Sequence, residues 1–113
     1  TVAELIAPPA LEGFTYEVIS FNFTPDTGNN TSRLQFEIRL NNPTSNMVTG
    51  VPILTLNIDG TQSTTNFANT AAQACLSLGA NSSCNLIVDQ ETNLDLGLTN
   101  NIELLNVEYF LTN

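Results

Sequence analysis

Residues 34–40 alternate apolar and polar side chains without interruption. Successive side chains of a β-strand point to opposite faces of its sheet, so this alternation predicts a strand that buries one face. The predicted inward side chains are Leu34, Phe36, Ile38 and Leu40. A turn at residues 41–46 leads to a second extended run at residues 51–58, which ends at Asp59-Gly60. We therefore predict two strands of an antiparallel β-sandwich here, on which the remaining chain packs.

Four further stretches favour strands. Residues 14–23 are rich in aromatic and β-branched side chains, and their irregular alternation at Val18-Ile19 predicts a bulge or burial on both faces. The other predicted strands lie at residues 75–78, 84–88 and 102–111. In the last of these, one face is predicted to carry Leu105, Val107, Tyr109 and Leu111.

The remaining stretches are predicted to be irregular or short. Residues 1–7 favour an edge strand or a helical turn, which Pro8-Pro9 would end. Residues 61–74 are polar and irregular, with a helical turn possible at 69–74, and residues 89–101 are predicted to form a long acidic loop. Because no stretch of about twelve residues has a helical period, we predict one all-β domain spanning residues 1–113.

The charge balance excludes several functions. The chain has 11 acidic residues, two arginines and no lysine or histidine, for a net charge of −9. Binding to nucleic acid or to an anionic membrane surface needs clustered basic side chains, so neither is expected. The absence of histidine and lysine removes the usual nucleophile and Schiff-base systems. A carboxylate pair, such as Glu17 with Glu37 or Glu108, is the remaining catalytic option, and we predict that the chain is not an enzyme.

Cys75 and Cys84 are the two cysteines of the chain. Their spacing across a short loop favours a disulfide, with two reduced core cysteines as the alternative. Two thiols without histidine cannot complete a tetrahedral zinc site. A disulfide and the 16 Asn and 15 Thr residues favour an oxidising compartment, so we expect an extracellular, cell-surface or periplasmic protein.

One acidic stretch raises the possibility of calcium. Oxygen-bearing side chains occupy every second position at Asp89, Glu91, Asn93 and Asp95. This spacing resembles the start of an EF-hand loop, but Leu94 stands at the glycine position and Asn100 where the bidentate glutamate belongs. An ordinary acidic loop has the same composition. Calcium is therefore a weak prediction, and no other cofactor is expected.

Two further sequence signals concern export. N-glycosylation acceptor sequences occur at Asn22, Asn29, Asn30 and Asn81. The sequence has no basic n-region, and no apolar stretch approaches the roughly 18 residues that a membrane helix needs. We expect a mature chain or an excised domain without a membrane span, and an upstream anchor is compatible with this sequence.

The sequence LQFEIRLNNPTSNMVTGVPILTLNIDG, followed by CLSLGANSSCNLIV, resembles a family of exported bacterial and archaeal immunoglobulin-like domains. The resemblance covers residues 34–88, and the soluble domains of archaeal surface-filament and archaellum-stator proteins are similar more loosely. It implies an immunoglobulin-like antiparallel β-sandwich of about seven strands. Cys75 and Cys84 match a cysteine pair around the same turn in some bacterial members. The chain departs from the family at residues 89–101, which precede the last strand.

Domains of this family serve as spacers, adhesins and filament components. We therefore expect a non-catalytic exported or cell-surface domain with a structural or protein-binding role in a larger surface assembly or filament. The strands at residues 14–23 and 102–111 carry more apolar side chains than one buried face needs, which favours a protein partner or self-association through an edge strand. The alternative is a carbohydrate-binding module, with or without a requirement for calcium, although only Tyr16 and Tyr109 supply polar aromatic rings.

Overall fold

The computed structural model describes residues 10–68 and 71–112. Within these residues the chain forms seven strands and one turn of 3₁₀ helix. The strands are β1 (Thr15–Thr24), β2 (Thr31–Asn42), β3 (Val48–Ile58), β4 (Thr61–Thr65), β5 (Ser77–Leu78), β6 (Ser82–Asn93) and β7 (Ile102–Leu111), and the helical turn is Leu94–Leu96. The predicted element at residues 1–7 lies outside the described part of the chain, as do residues 69 and 70 of the predicted helical turn.

The strands form two antiparallel sheets. One has the order β1-β2-β6, and the other has β3 between β7 on one side and β4 with the short β5 on the other. In the immunoglobulin arrangement, strands A, B and E share one sheet, while C, F and G share the other. β1, β2 and β6 take the places of A, B and E, and β3 and β7 take those of C and F. This topology confirms the predicted immunoglobulin-like sandwich.

The core lies between the central strands of the two sheets. The alternating side chains of β2 are buried as predicted: Leu34, Phe36, Ile38 and Leu40 are each at most 7% exposed. Leu54 and Leu56 of β3 and Leu86 and Val88 of β6 belong to the same buried cluster. Each such side chain contributes about 1.5–3 kcal/mol when it leaves water, so the register of β2 fixes the register of both neighbours.

A buried asparagine organises the connection between β2 and β3, which lie in different sheets. Asn42 is 2% exposed. Its Nδ2 donates to the carbonyl oxygens of Asn46 and Gly79 at 2.9 Å each, and its Oδ1 accepts from the backbone N–H and the hydroxyl of Thr44. A buried amide with this many partners is stabilising because none of its polar atoms is left unpaired.

Two stretches predicted to be irregular contain strands. β6 continues to Asn93 because it pairs with the long β2 as far as Thr31, which lies opposite Asn93. The prediction of a loop over residues 89–101 is therefore wrong for its first five residues. Asp59 and Gly60 have φ values of 51° and 89°. Two positive φ angles suit the two-residue turn of a hairpin, which here connects β3 to β4. The prediction that residues 61–74 are irregular is therefore wrong for residues 61–65.

Both β1 and β7 contain a bulge near the middle. The β1–β2 register shifts between Val18 and Ser20, in agreement with the irregular alternation of the sequence. The β3–β7 register shifts between Thr55 and Leu56, where Leu105 is the extra residue. Leu105 is consequently 47% exposed, and the prediction that it shares the inward face of Val107 is wrong, since a bulge breaks the period of two.

Pro52 lies inside β3, which begins four residues earlier at Val48. It is fully buried and stands opposite Tyr109 of β7. Gly50 donates its N–H to Leu76 on the β5 side of the strand, so by alternation the nitrogen of Pro52 faces that side too. On that side of β3, Pro52 lies between the residues that pair with β5 and the residues that pair with β4. The missing donor therefore breaks no ladder hydrogen bond.

Gly50→Ala should destabilise the protein. A Cβ at Gly50 would overlap the carbonyl oxygen of Phe110 and approach Tyr109 Cε2 to 2.7 Å. Overpacking of this kind costs about 1–3 kcal/mol, measurable as a lower free energy of urea unfolding. Gly79→Ala is the matched control, because its nearest neighbour, Ser82 Cβ, is 3.5 Å away. Equal unfolding energies for both variants would contradict the close approach.

Candidate functional site

The outer edge of β6 is covered by its own chain. The N–H groups of Ala72 and Gln73 donate to the carbonyl of Ile87 at 2.9 and 3.3 Å, and the N–H of Ile87 donates to the carbonyl of Gln73 at 3.1 Å. The predicted disulfide between Cys75 and Cys84 is present and fastens this segment to the strand. A partner chain therefore finds the middle of the β6 edge already paired.

Tyr109 ties the disulfide segment to the opposite sheet. Its side chain is 1% exposed, and its hydroxyl donates to the carbonyl oxygen of Cys75 at 2.8 Å. Burial disfavours the charged tyrosinate and raises the pKa of Tyr109 to about 12. This hydrogen bond holds both Tyr109 and the backbone of Cys75, whose φ is 55°. No sequence pattern predicted this contact.

The edge of β4 is protected in a different way. The strand is five residues long, and its sequence, TQSTT, contains no large apolar side chain. Short polar edge strands are a common means of avoiding unwanted pairing, since they offer few backbone groups and little apolar surface.

In the part of the chain that the structure describes, β1 has neither form of protection. Its residues Tyr16, Val18, Phe21 and Phe23 stand opposite Leu40, Ile38, Phe36 and Leu34 of β2 and so share the inward face. That face is incompletely covered. Val18 is 45% exposed, as is the bulged Ile19 beside it. Large aliphatic side chains at an edge, this far from full burial, form an apolar surface available to a partner.

β7 is the second unprotected edge. Among the described residues, its outer side is met only at one end, where Ala10 forms a bridge with Phe110 and the N–H of Leu11 donates to the carbonyl of Tyr109 at 2.8 Å. The edge from Ile102 to Glu108 has no backbone partner in the described part of the chain. The immunoglobulin arrangement places strand G at this position, and none of the described strands occupies it.

β1 and β7 border the same side of the sandwich. The ring of Phe14, just before β1, stacks on the ring of Tyr109 with centroids 5.9 Å apart. Within residues 10–68 and 71–112, no strand extends this sheet beyond β7 and beneath β1, and Val18 is correspondingly exposed. We call the free edge of β7, together with Val18, Ile19 and Leu105, the open side. It joins unpaired backbone groups to exposed aliphatic side chains.

Reduction of the disulfide should loosen the covered edge. Replacing Cys75 and Cys84 by serine removes the constraint on a separation of nine residues. The loop-entropy relation gives a loss of about 2–3 kcal/mol in the free energy of unfolding. Amide hydrogen exchange should accelerate at Ile87, because its N–H bonds to the segment that the disulfide holds. Unchanged exchange at Ile87 in the double variant would show that the segment is held by other contacts.

Alkaline pH should destabilise the protein through Tyr109. Between the ordinary pKa of 10.0 and the folded-state value of about 12, the unfolded chain loses the phenolic proton while the folded chain keeps it. The free energy of unfolding therefore falls as pH rises through this window. Tyr109→Phe should flatten this dependence and, at neutral pH, cost about 1–2 kcal/mol for the unpaired Cys75 carbonyl. Denaturant unfolding at several pH values measures both effects, and an unchanged alkaline slope would refute the assignment.

The four predicted calcium ligands do not converge on one point. Asp89, Glu91 and Asn93 lie along the outer face of β6, where every second residue advances by about 6.6 Å. Arg33 donates to both carboxylate oxygens of Asp89, at 2.8 and 2.7 Å, and holds the pKa of that carboxyl below its usual value. Asn93 Oδ1 instead caps the 3₁₀ turn by accepting from the N–H of Asp95.

The described residues contain no cluster of three or more acidic, histidine or cysteine side chains placed to hold a metal ion. Glu91 Oε2 accepts from the hydroxyl of Thr31 at 2.9 Å. The structure therefore gives these carboxylates partners within the sheet, and calcium binding stays a prediction without a site.

Of the three predicted catalytic carboxylates, two have partners within their own sheet and the third lies in the other sheet. Glu17 Oε1 lies 3.6 Å from Arg39 Nη1 across the β1–β2 ladder. Glu37 Oε2 accepts from Asn85 Nδ2 at 2.7 Å. Glu108 belongs to β7 in the other sheet, so Glu17 and Glu37 cannot form with it the close pair that glycoside hydrolysis needs.

A small cavity lies at one end of the sandwich. It has a volume of about 90 Å³ and is lined by Phe23, Ser32, Leu34, Gln90, Thr92, Gly97, Thr99 and Ile102. Small-molecule sites usually enclose about 300–1,000 Å³, so this cavity is too small for a typical substrate. Tyr109, one of the two tyrosines considered for stacking on sugars, is buried, which leaves the carbohydrate-binding alternative without a supporting feature here.

The four predicted glycosylation sites are accessible. Asn22 lies on β1, Asn29 and Asn30 lie in the turn before β2, and Asn81 lies just before β6; all four are exposed. Asn30 and Asn81 have positive φ angles of 63° and 51°, which asparagine tolerates better than most residues. Their modification stays a prediction.

Comparison with protein-family models, curated proteins and solved structures finds no match to this chain. Within residues 10–68 and 71–112, no helix has the length and apolar character needed to cross a bilayer.

Proposed function

We propose that the chain is a non-catalytic exported or cell-surface domain that binds a protein partner through the open side, as part of a larger surface assembly. The observation that carries this proposal is the unequal treatment of the sheet edges. β6 is covered by a disulfide-anchored segment and β4 is short and polar, whereas β1 and β7 are ten residues long and apolar. Edges that serve no contact are usually protected.

The mode of binding proposed is addition of a strand to β7. A partner in extended conformation would pair with the backbone of residues 102–108, in the position of strand G. By alternation, the N–H groups of Leu104 and Val107 point away from β3. Backbone hydrogen bonds would supply part of the affinity, and side chains directed toward β1 would supply selectivity.

Apolar contacts add to this pairing. Val18, Ile19 and Leu105 are 45%, 45% and 47% exposed. Covering the remaining surface of each would contribute on the order of 1 kcal/mol. The charges near the edge favour a partner with little negative charge, because Glu103 and Glu108 both belong to β7 and the chain carries a net charge of −9.

Export is supported by the disulfide and by composition. Disulfides persist in oxidising compartments and are rare in the cytosol. The Asn- and Thr-rich surface without lysine fits the same compartment. These observations support an extracellular, cell-surface or periplasmic location as part of the proposal.

Site-specific photo-cross-linking tests the proposed contact. A benzophenone-bearing phenylalanine analogue is introduced in place of Leu105, in the cells that export the protein. The matched control carries the same analogue in place of Gln62, an exposed residue of β4. We expect a discrete protein cross-link from position 105 and none from position 62, resolved by mass spectrometry. Equal yields at the two positions, or none at either, would remove the open side as the contact.

A further inference from the structure

We infer that the open side binds an extended protein segment that carries two basic side chains four residues apart, with apolar side chains between them. This inference rests on the proposed function and names the chemistry of its partner. It comes from the two carboxylates of the free β7 edge, Glu103 and Glu108, and from the bulge at Leu105 that lies between them.

The bulge places both carboxylates on the same face of the sheet. Glu103 stands opposite Asn57 of β3, and Glu108 stands opposite Ile53. Five steps along β7 therefore correspond to four steps along a regular strand, and residues four apart share a face. Because Leu54 is buried, its neighbours in the alternation of β3 lie on the outer face. Both glutamates lie there with them, and both are exposed.

Neither basic side chain of the chain meets these carboxylates. The chain has no lysine or histidine, and its two arginines, Arg33 and Arg39, lie on β2 in the other sheet. Each has a carboxylate in its own sheet, at 2.7 and 3.6 Å. Glu103 Oε1 accepts from the neutral amide of Asn101 at 3.2 Å. A basic side chain that pairs with either glutamate of β7 must therefore come from another molecule.

Two other occupants of this edge are disfavoured. One metal ion cannot bridge the glutamates, since four residues of a strand span about 13 Å. A second copy of β7, paired antiparallel along the edge, would set Leu104 against Val107, because the N–H groups of both point outward. Glu103 would then lie opposite Glu108 of the other copy, twice by symmetry. Like charges directly opposite each other are destabilising.

A regular strand added to the edge meets it in a pattern of five residues. In antiparallel pairing, its first and fifth residues lie opposite Glu108 and Glu103, and its third lies opposite Asn106. Its second and fourth residues lie opposite Val107 and Leu104 and point inward, toward the uncovered part of β1. The complementary segment therefore reads basic, apolar, polar, apolar, basic. This pattern is the same in both chain directions.

Synthetic peptides test the charge pattern on the complete 113-residue chain. The probe is the peptide SKVTVKS with blocked termini, and its counterpart is SEVTVES. In NMR titrations that follow the amides of Leu104 and Val107, the lysine peptide should bind roughly thirtyfold more tightly, because two attractive cross-strand pairs replace two repulsive ones. Equal binding of the two peptides, no binding of the lysine peptide, or shifts confined to other strands would overturn the inference.

Charge reversal in the protein supplies the matched control. Glu103→Lys with Glu108→Lys should invert the preference, so that SEVTVES binds more tightly than SKVTVKS. Glu91→Lys with Asp95→Lys changes the net charge by the same amount at β6 and the turn that follows it, and should keep the preference of the parent. If both double variants change the preference alike, the attraction comes from the net charge of −9 and the inference fails.

The photo-cross-link from position 105 separates this inference from the proposed function. Mass spectrometry of the cross-linked peptide identifies the contacted segment, which should contain lysine or arginine at two positions four residues apart. If position 105 cross-links to a protein segment without that spacing, the inference fails and the proposed function stands. If the cross-link does not exceed that of the Gln62 control, both fall.

Discussion

The packing of β2 against the second sheet is the interaction on which the rest of the structure depends. Ile38 and Leu40, both 0% exposed, place β2 at the centre of one sheet, and Leu54 does the same for β3 in the other. Because side chains alternate strictly along β2, the registers of β1 and β6 follow from it. Once the two central strands are fixed, the arrangement of the sheet edges is what is left to determine.

The proposed function depends on how the edges of the two sheets are covered. On one side of the sandwich, the disulfide segment and the Tyr109 hydroxyl close the structure by linking the β6 edge to the opposite sheet. On the other side, no described residue pairs with β7 from Ile102 to Glu108, and the inward face of β1 is incompletely covered. Under the proposed function, stability and binding belong to different edges, and a partner strand would complete the second without disturbing the first.

Local patterns predicted the parts of this structure that local sequence controls. The alternation of residues 34–40 gave the buried face of β2, and the irregularity at Val18-Ile19 gave the first bulge. The bulge at Leu105 and the extension of β6 from Asp89 to Asn93 could not be predicted, since both depend on which partner strand lies opposite. The apolar excess of β1 and β7 indicated an edge contact, but which edges stay free follows from long-range pairing alone.

Amide hydrogen exchange at Leu104 and Val107 tests most directly whether β7 is an edge that accepts a strand. Exchange is followed in the protein alone and in the presence of the partner identified by cross-linking. Our account predicts fast exchange at both amides in the protein alone and protection when the partner binds, while the amides of β4 keep their rates. Protection of both amides in the protein alone, or binding that leaves them unprotected, would contradict it.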